Sequence, residues 1–331
     1  MQKRRLGEMQ LSLTGLGLAS LGGDGDYAKA ERIVHTGLDS GINFFDTADI
    51  YGYTTNGEYH SEEFLGRALA GRRSQAYIST KFGYAVEPVE RMPPPFKGLS
   101  AAYTEAAVDA SLRRLRTDYI DLYQPHTFDP AVPIEETLGA LARLIAKGKV
   151  RCIGSSRFAP EQIVAADAAA RKANTPRFIS TQSGLNLLQR AAVTRLIPTL
   201  DKLDVQLIPF SPLASGFLTG KYKWNEPPPP GSAYARAPPM LGARVLTEKN
   251  FKIISALEKF AAGSGHTLLE LAFAWLAAQP RVISIIAGAS NPEQVAENAR
   301  ASSWTLTANE VAKVNAIVAS FDVSEPTENT R

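Results

Sequence analysis

Gly41-Ile-Asn-Phe-Phe-Asp-Thr-Ala-Asp-Ile-Tyr51 is an apolar run that ends in groups able to move a proton. Ile42 to Phe45, bounded by a glycine and a carboxylate, suits a strand buried on both faces, as in parallel sheets covered by helices. That placement puts Asp46 at the strand's carboxyl end and Tyr51 on the loop that follows. Taken alone the pair has plain explanations, a loop-starting carboxylate and an amphipathic rim phenol. Matching residues at the ends of later strands change the reading.

Outward from this stretch, apolar runs of strand length alternate with longer segments of helical period, the pattern of a parallel sheet wound with helices. The strand candidates are Thr14 to Leu18, Ile42 to Phe45, Ala76 to Ser79, Ile120 to Tyr123, Val150 to Gly154, Phe178 to Gln182, Val205 to Pro209 and Ser284 to Ala287. Helical stretches lie near Lys29 to Ser40, Ser61 to Ala70, Thr104 to Arg116, Pro133 to Lys147, Pro160 to Lys172, Arg190 to Leu200, Phe251 to Gln279 and Pro292 to Ala301. Eight such units predict an α/β fold, a (β/α)8 TIM barrel, with Arg5 to Leu13 as an N-terminal β-hairpin plugging one end. A doubly wound open sheet is the competing fold. Gly15-Leu16-Gly17 is no dinucleotide fingerprint, because Ser20 stands where Gly-x-Gly-x-x-Gly needs glycine.

Two stretches break the rhythm: Val86 to Leu99, with Met92-Pro93-Pro94-Pro95, and Tyr222 to Arg244, with Pro227 to Pro230 and Pro238-Pro239. Both are too proline-rich for helix or central strand and read as long lids on the carboxyl face. The chain, 1–331, is expected to be one domain, with 322–331 as a flexible tail.

Composition narrows the function classes. A formal charge of +3 and short Arg/Lys clusters give no nucleic-acid surface, and a single cysteine, Cys152, excludes an internal disulfide or thiolate metal cluster. No run approaches the roughly 20 apolar residues of a membrane helix, so the expectation is a cytoplasmic protein without membrane or nucleic-acid partners. His35, His60, His126 and His266 are widely spaced and give no metal motif.

The chemistry collects at strand ends: Asp46 and Tyr51 after the second strand, Lys81 after Ile78-Ser79-Thr80, His126 after Gln124-Pro125. In a barrel these ends converge on one face, where catalytic groups sit. A phenol titrates near about 10 when free, and an ammonium beside it favours the phenolate. Lys81, held charged by Asp46, would tune Tyr51 for proton transfer, and neutral His126 could steer a carbonyl oxygen toward it.

With these residues in place the sequence resembles the aldo-keto reductase family over essentially its whole length. The resemblance rests on the opening stretch, Ile78-Ser-Thr-Lys81, Asp118-Tyr-Ile-Asp-Leu-Tyr-Gln-Pro-His126, Gly148-Lys-Val-Arg-Cys-Ile-Gly-Ser-Ser-Arg157, Gln182 with Asn186-Leu-Leu188, Ser211-Pro-Leu213 with Thr219-Gly-Lys221, and Gly288-Ala-Ser-Asn-Pro-Glu-Gln-Val-Ala-Glu-Asn298. It implies an NADP-dependent oxidoreductase of the alcohol dehydrogenase/carbonyl reductase type, interconverting aldehyde or ketone and alcohol. The implied catalytic set is Asp46, Tyr51, Lys81 and His126, with Tyr51 as proton donor. NADP(H) is the implied cofactor, NAD(H) binding more weakly, and its sites would start at Gly17 and Asp46. Ser156, Arg157 and Gln182 would hold the nicotinamide carboxamide and Phe210 its ring. Ser211, Leu213, Gly216 and Lys221 would hold the pyrophosphate, and Gly288, Ser290, Gln294, Glu297 and Asn298 the adenosine end. For a 2′-phosphate, Arg236 or Arg244 on the lid could help Lys221. Ser156-Arg157 is similar to the potassium-channel β-subunit branch, a second reading as a cofactor-binding regulatory subunit. His126 argues against it, since that branch has asparagine there. A barrel hydrolase or isomerase needing no nicotinamide is a third.

Overall fold

Lys3–Leu6 (β1) and Met9–Ser12 (β2) pair as an antiparallel hairpin. Parallel strands follow at Thr14–Gly17 (β3), Phe44–Asp46 (β4), Tyr77–Phe82 (β5), Ile120–Pro125 (β6), Val150–Ile153 (β7), Ser155–Ser156 (β8), Ser180–Gly184 (β9), Gln206–Phe210 (β10) and Ile285–Gly288 (β11). The computed structural model describes residues 1–54, 57–84, 98–236 and 239–321.

The sheet order is β7-β6-β5-β4-β3-β11-β10-β9-β8. Its two ends are halves of a single strand interrupted at Gly154: β7 bonds to β6, and β8 to β9. At the break Gly154 N–H donates to the Tyr123 carbonyl at 3.2 Å and Ile179 N–H to the Ile153 carbonyl at 3.0 Å, which closes the ring. The backbones approach so closely there that a Cβ on Gly154 would lie 2.9 Å from the Ser180 carbonyl oxygen. Eight strand positions and the helices between them make the (β/α)8 barrel expected from the sequence.

The hairpin closes the amino-terminal end. Leu6, Met9 and Leu11 pack on Phe44, Leu122, Ile208, Ile283 and Ile286 inside the barrel. Asn43 fastens it, accepting from Ser12 N–H at 2.7 Å and donating to the Gln10 carbonyl at 2.8 Å. The larger apolar core lies between strands and helices.

Several elements differ from the sequence expectation. Five strands, β4, β5, β9, β10 and β11, begin one or two residues later than expected, and β5 runs on to Phe82, so Lys81 lies within β5 rather than after it. The stretch Phe251 to Gln279 is two helices, Glu248–Gly263 and Leu268–Ala277. Gly265 takes a left-handed φ of 78°, and Thr267 and Glu270 cap the second helix reciprocally. Arg190 to Leu200 also divides, into Ala191–Arg195 and Ile197–Leu203, the latter with proline in its first turn. The proline-rich Tyr222 to Arg244 is not wholly irregular, because it holds the short helices Ala233–Arg236 and Pro239–Val245. Proline opens the second of these, where its missing N–H has no partner to lose. Ala308–Ala319, unanticipated, is a helix with its own Thr307 and Glu310 capping box. Met92 to Pro95 and the tail 322–331 lie outside the described residues. No described helix is long and apolar enough to cross a membrane.

Register levels the site. Gly17 pairs with both Asp46 and Gly288, and Lys81 with Gln124, one residue pair from Phe82 with Pro125 before His126. The four proton-handling residues and the glycines therefore meet at one rim of the barrel.

Candidate active site

Lys81 is 1% exposed and points into the barrel, where a buried ammonium must be matched by acceptors. Its Nζ donates to Asp46 Oδ2 at 2.6 Å and to the Thr47 carbonyl at 2.8 Å. Burial works most strongly against its charge, but Asp46 and Tyr51 together outweigh it, and Lys81 holds its proton more tightly than a free lysine. The other carboxylate oxygen of Asp46 accepts from Ser79 Oγ at 2.9 Å and from Gln182 Nε2 at 2.6 Å. Gln124 Nε2 in turn donates to Ser79 Oγ at 2.8 Å. Asp46 is thereby fixed on three sides, and it fixes Lys81.

Tyr51 is half-buried beside this pair. Lys81 Nζ lies 4.8 Å from its ring centroid, and its Oη lies 3.4 Å from His126 Nε2. His126 stands between the edges of Tyr51 and Tyr84, with ring centroids at 5.5 and 4.9 Å. Burial, then the charges of Lys81 and Arg157, push the His126 pKa down to about 3. Among the described residues its Nδ1 is buried without a partner. An N–H there would be left unpaired, more costly than a bare lone pair, so the ring proton belongs on Nε2, facing Tyr51 and the cleft.

A prediction follows for pH. The His126 folded pKa lies below the unfolded value of about 6.5, so the unfolded chain takes the proton first. Its contribution to stability is complete above about 6.5 and is lost as pH falls toward about 3. Ring signals of His126, followed by NMR from about pH 5 upward, should show no titration. A midpoint near 6.5 would mean that the imidazole is solvated.

The residues named for the nicotinamide, pyrophosphate and adenosine line one cleft of about 2230 Å³ with Tyr51, Lys81 and His126: Gly17, Asp46, Ser156, Arg157, Gln182, Phe210, Ser211, Leu213, Gly216, Lys221, Gly288, Ser290, Gln294, Glu297 and Asn298. The cleft can be tested for fit to a dinucleotide. Gln182 spends its amide nitrogen on Asp46, which leaves its carbonyl oxygen as the group able to accept a further hydrogen bond. After β10, Ser211, Ala214, Ser215 and Gly216 have left-handed φ of 54°, 46°, 56° and 85°, in a turn closed on itself by Ala214 N–H to the Ser211 carbonyl at 3.2 Å and Gly216 N–H to the Leu213 carbonyl at 2.9 Å. Lys221 crosses this turn so closely that a Cβ on Gly216 would meet its Nζ at 2.5 Å. At the far end the helix Pro292–Ala301 begins at an Asn291 cap, and Gln294 Oε1 accepts from Ser290 N–H and Oγ at 2.9 and 3.0 Å. A helix start next to paired hydroxyl and amide groups suits a phosphate. Pro229 to Ala233 and Arg236 line the cleft from the lid; Arg244 does not, and Arg300 does.

The family model for the Aldo/keto reductase family matches residues 14–319. The chain belongs to that family. As an aldo/keto reductase it is 35% identical over 308 residues, 91% of each chain, to a probable voltage-gated potassium channel subunit beta of Arabidopsis thaliana. It is 32% identical over 336 residues to L-glyceraldehyde 3-phosphate reductase of Escherichia coli, covering 98% of this chain and 94% of that one. The glycerol dehydrogenase of Gluconobacter oxydans superposes with a TM-score of 0.83 at 31% identity, covering 100% of this chain and 98% of that one.

In this aldo/keto reductase, sequence reasoning missed the residues that brace the site. Ser79 and Gln124 carry chemistry only through Asp46, and strand alternation, which turns Ser79, Lys81 and Gln124 inward, was the available signal. Tyr84, against His126, follows β5 too irregularly for any pattern to mark it. Among the described residues no three His, Cys, Asp or Glu side chains gather as a metal site.

Proposed function

We propose that this aldo/keto reductase interconverts an aldehyde or ketone and the corresponding alcohol with NADP(H), using NAD(H) more weakly, as a cytoplasmic enzyme acting on a small molecule. The observation that carries the reading is the Tyr51 phenol at the cleft, between neutral His126 and the buried Lys81 and Asp46 pair. Nicotinamide supplies or accepts the hydride when bound. Tyr51 gives its proton to the carbonyl oxygen in reduction and takes it back in oxidation. Lys81 stabilises the phenolate that remains, Asp46 orients Lys81, and His126 Nε2–H donates to the same carbonyl oxygen and aligns it. Ser156, Arg157 and Gln182 would hold the carboxamide and Phe210 the ring. The turn at Ser211, Leu213 and Gly216 with Lys221 would hold the pyrophosphate, and Gly288, Ser290, Gln294, Glu297 and Asn298 the adenosine.

The test is a carbonyl panel with NADPH and NADH, then the alcohols with the oxidised cofactors. The relatives' names put L-glyceraldehyde 3-phosphate and glycerol in the panel. Cofactor binding without turnover of any carbonyl would favour the regulatory-subunit reading that the channel relative raises.

Cofactor choice has its own prediction. Ser290 and Gln294 offer neutral donors where a 2′-phosphate is proposed, with Lys221, Arg236 and Arg300 along the same cleft. NADPH should bind more tightly than NADH, by a modest margin. Gln294→Arg adds a guanidinium at the cost of the Ser290 brace, and should raise the preference by about 1.5–3 kcal/mol if one charged hydrogen bond forms. Dissociation constants measured by quenching of protein fluorescence decide this. An unchanged ratio places the phosphate elsewhere.

A further inference from the structure

Two residues before Tyr51 stands Asp49, a carboxyl that the chemistry above does not use. It is 3% exposed and does not line the cleft. Its N–H donates to the Lys81 carbonyl at 3.1 Å, and Tyr51 N–H returns to the Ala48 carbonyl at 3.1 Å. Asp49 therefore sits at the root of the turn that carries Tyr51, against the strand that carries Lys81.

Its side chain enters a polar cluster between barrel and helices. From the helix Ser61–Ala68 comes Glu62, 2% exposed, accepting from Thr80 Oγ1 at 2.5 Å and from Arg114 Nε at 2.7 Å. Arg114 belongs to the helix Ala101–Leu115, and β6 contributes Tyr123, whose buried hydroxyl has no hydrogen-bond partner among the described residues. Among the described residues neither carboxyl oxygen of Asp49 has a partner in good hydrogen-bonding geometry, and both are buried; the Ile50 N–H, on the same turn as Tyr51, interacts with the carboxyl only weakly. One guanidinium serves two carboxyls, and Glu62 holds it. Lys81, the other nearby cation, is committed to Asp46. An ionised, unbonded carboxylate in this setting is the least tolerable arrangement, and protonation relieves it. Burial first, then the Glu62 charge, push the Asp49 carboxyl well above the usual carboxylate range, against weaker opposition from Arg114, the Ile50 backbone N–H and Lys81.

We propose that Asp49 is a positioning residue that acts as a neutral carboxylic acid, anchoring the Tyr51 turn behind the cleft and setting Tyr51 against Lys81. The positioning half rests on the reading of Tyr51 as the acid; the protonation half does not. Neutral Asp49 means that folding takes up a proton. Wild-type stability then falls as pH rises from the unfolded carboxyl pKa, about 3.9, toward the raised folded one, and a variant without the acid escapes that loss.

The test compares full-length Asp49→Asn and Asp49→Ala with wild type. An infrared difference spectrum, wild type minus Asp49→Asn at neutral pH, should contain the C=O stretch of a protonated acid. Asp49→Asn should melt at or above the wild-type temperature near neutrality, the gap closing as pH falls toward about 4–5. It should keep kcat within about threefold, whereas Asp49→Ala should lower kcat by about tenfold or more with the NADPH dissociation constant unchanged. Absence of the acid band, or Asp49→Asn melting below wild type at neutral pH, overturns protonation. Asp49→Ala with wild-type kcat overturns positioning. If Ala does not fold, an Asn variant that loses tenfold in kcat overturns positioning in its place. Wild type without carbonyl turnover defeats the Tyr51 reading, and positioning with it, while the infrared and melting results still judge protonation.

Discussion

Replacing Tyr51 by Phe is expected to lower carbonyl reduction by about 10²–10⁴-fold while leaving cofactor binding close to wild type. The substitution deletes the hydroxyl 3.4 Å from His126 Nε2 and keeps the ring against Lys81, so the walls of the cleft are preserved. The loss should appear in kcat, because proton transfer belongs to the chemical step and not to substrate or cofactor binding. Single-turnover rates at saturating NADPH, with the NADPH dissociation constant measured in parallel, check it. Turnover at the wild-type rate would remove Tyr51 from the chemistry.

Lys81→Met should abolish activity and destabilise the fold. Lys81 and Asp46 have side chains 1% and 4% exposed, so the substitution strands a buried carboxylate. Removing one partner of such a pair typically costs about 3–5 kcal/mol. Asp46 keeps its bonds from Ser79 and Gln182, which softens the cost and should let the variant fold. Any residual activity should have an altered pH dependence, since the cation beside the phenol is gone. Thermal melting and a pH-rate profile check both parts. An unchanged melting temperature and profile would make Lys81 a bystander.

The barrel was legible because its strands are buried on both faces and read as uninterrupted apolar runs, as in Ile42 to Phe45 and Ile120 to Tyr123. What was lost is instructive. Phe251 to Gln279 looked like one helix because both pieces carry apolar residues at helical spacing. The stop was nevertheless written there, in Gly265 followed by Thr267-x-x-Glu270. Thr307-x-x-Glu310 announces the last helix in the same way. In the lid, proline suggested irregular chain, although proline is well suited to a helix's first turn.

At the site, the strand-end rule led to Asp46, Tyr51, Lys81 and His126 and the family resemblance to further residues that line the cleft, while others along it, Arg300 among them, were not marked. The supporting residues were beyond that rule, since Ser79, Gln124 and Tyr84 matter through contacts between different strands. Asp49, Glu62, Arg114 and Tyr123 are farther still from legibility. Each is unremarkable in sequence, and the shortage of cations among them exists only once two helices and two strands have packed.

The central claim, that this chain moves hydride between nicotinamide and a carbonyl carbon, is tested most directly by isotope transfer. Wild-type protein is incubated with NADPH deuterated at the transferable nicotinamide position and a carbonyl from the panel, and the alcohol is analysed by mass spectrometry. The predicted result is an alcohol labelled at the former carbonyl carbon, with one deuterium for each NADPH oxidised. No NADPH consumption with any carbonyl, or an alcohol formed without the label, would contradict it.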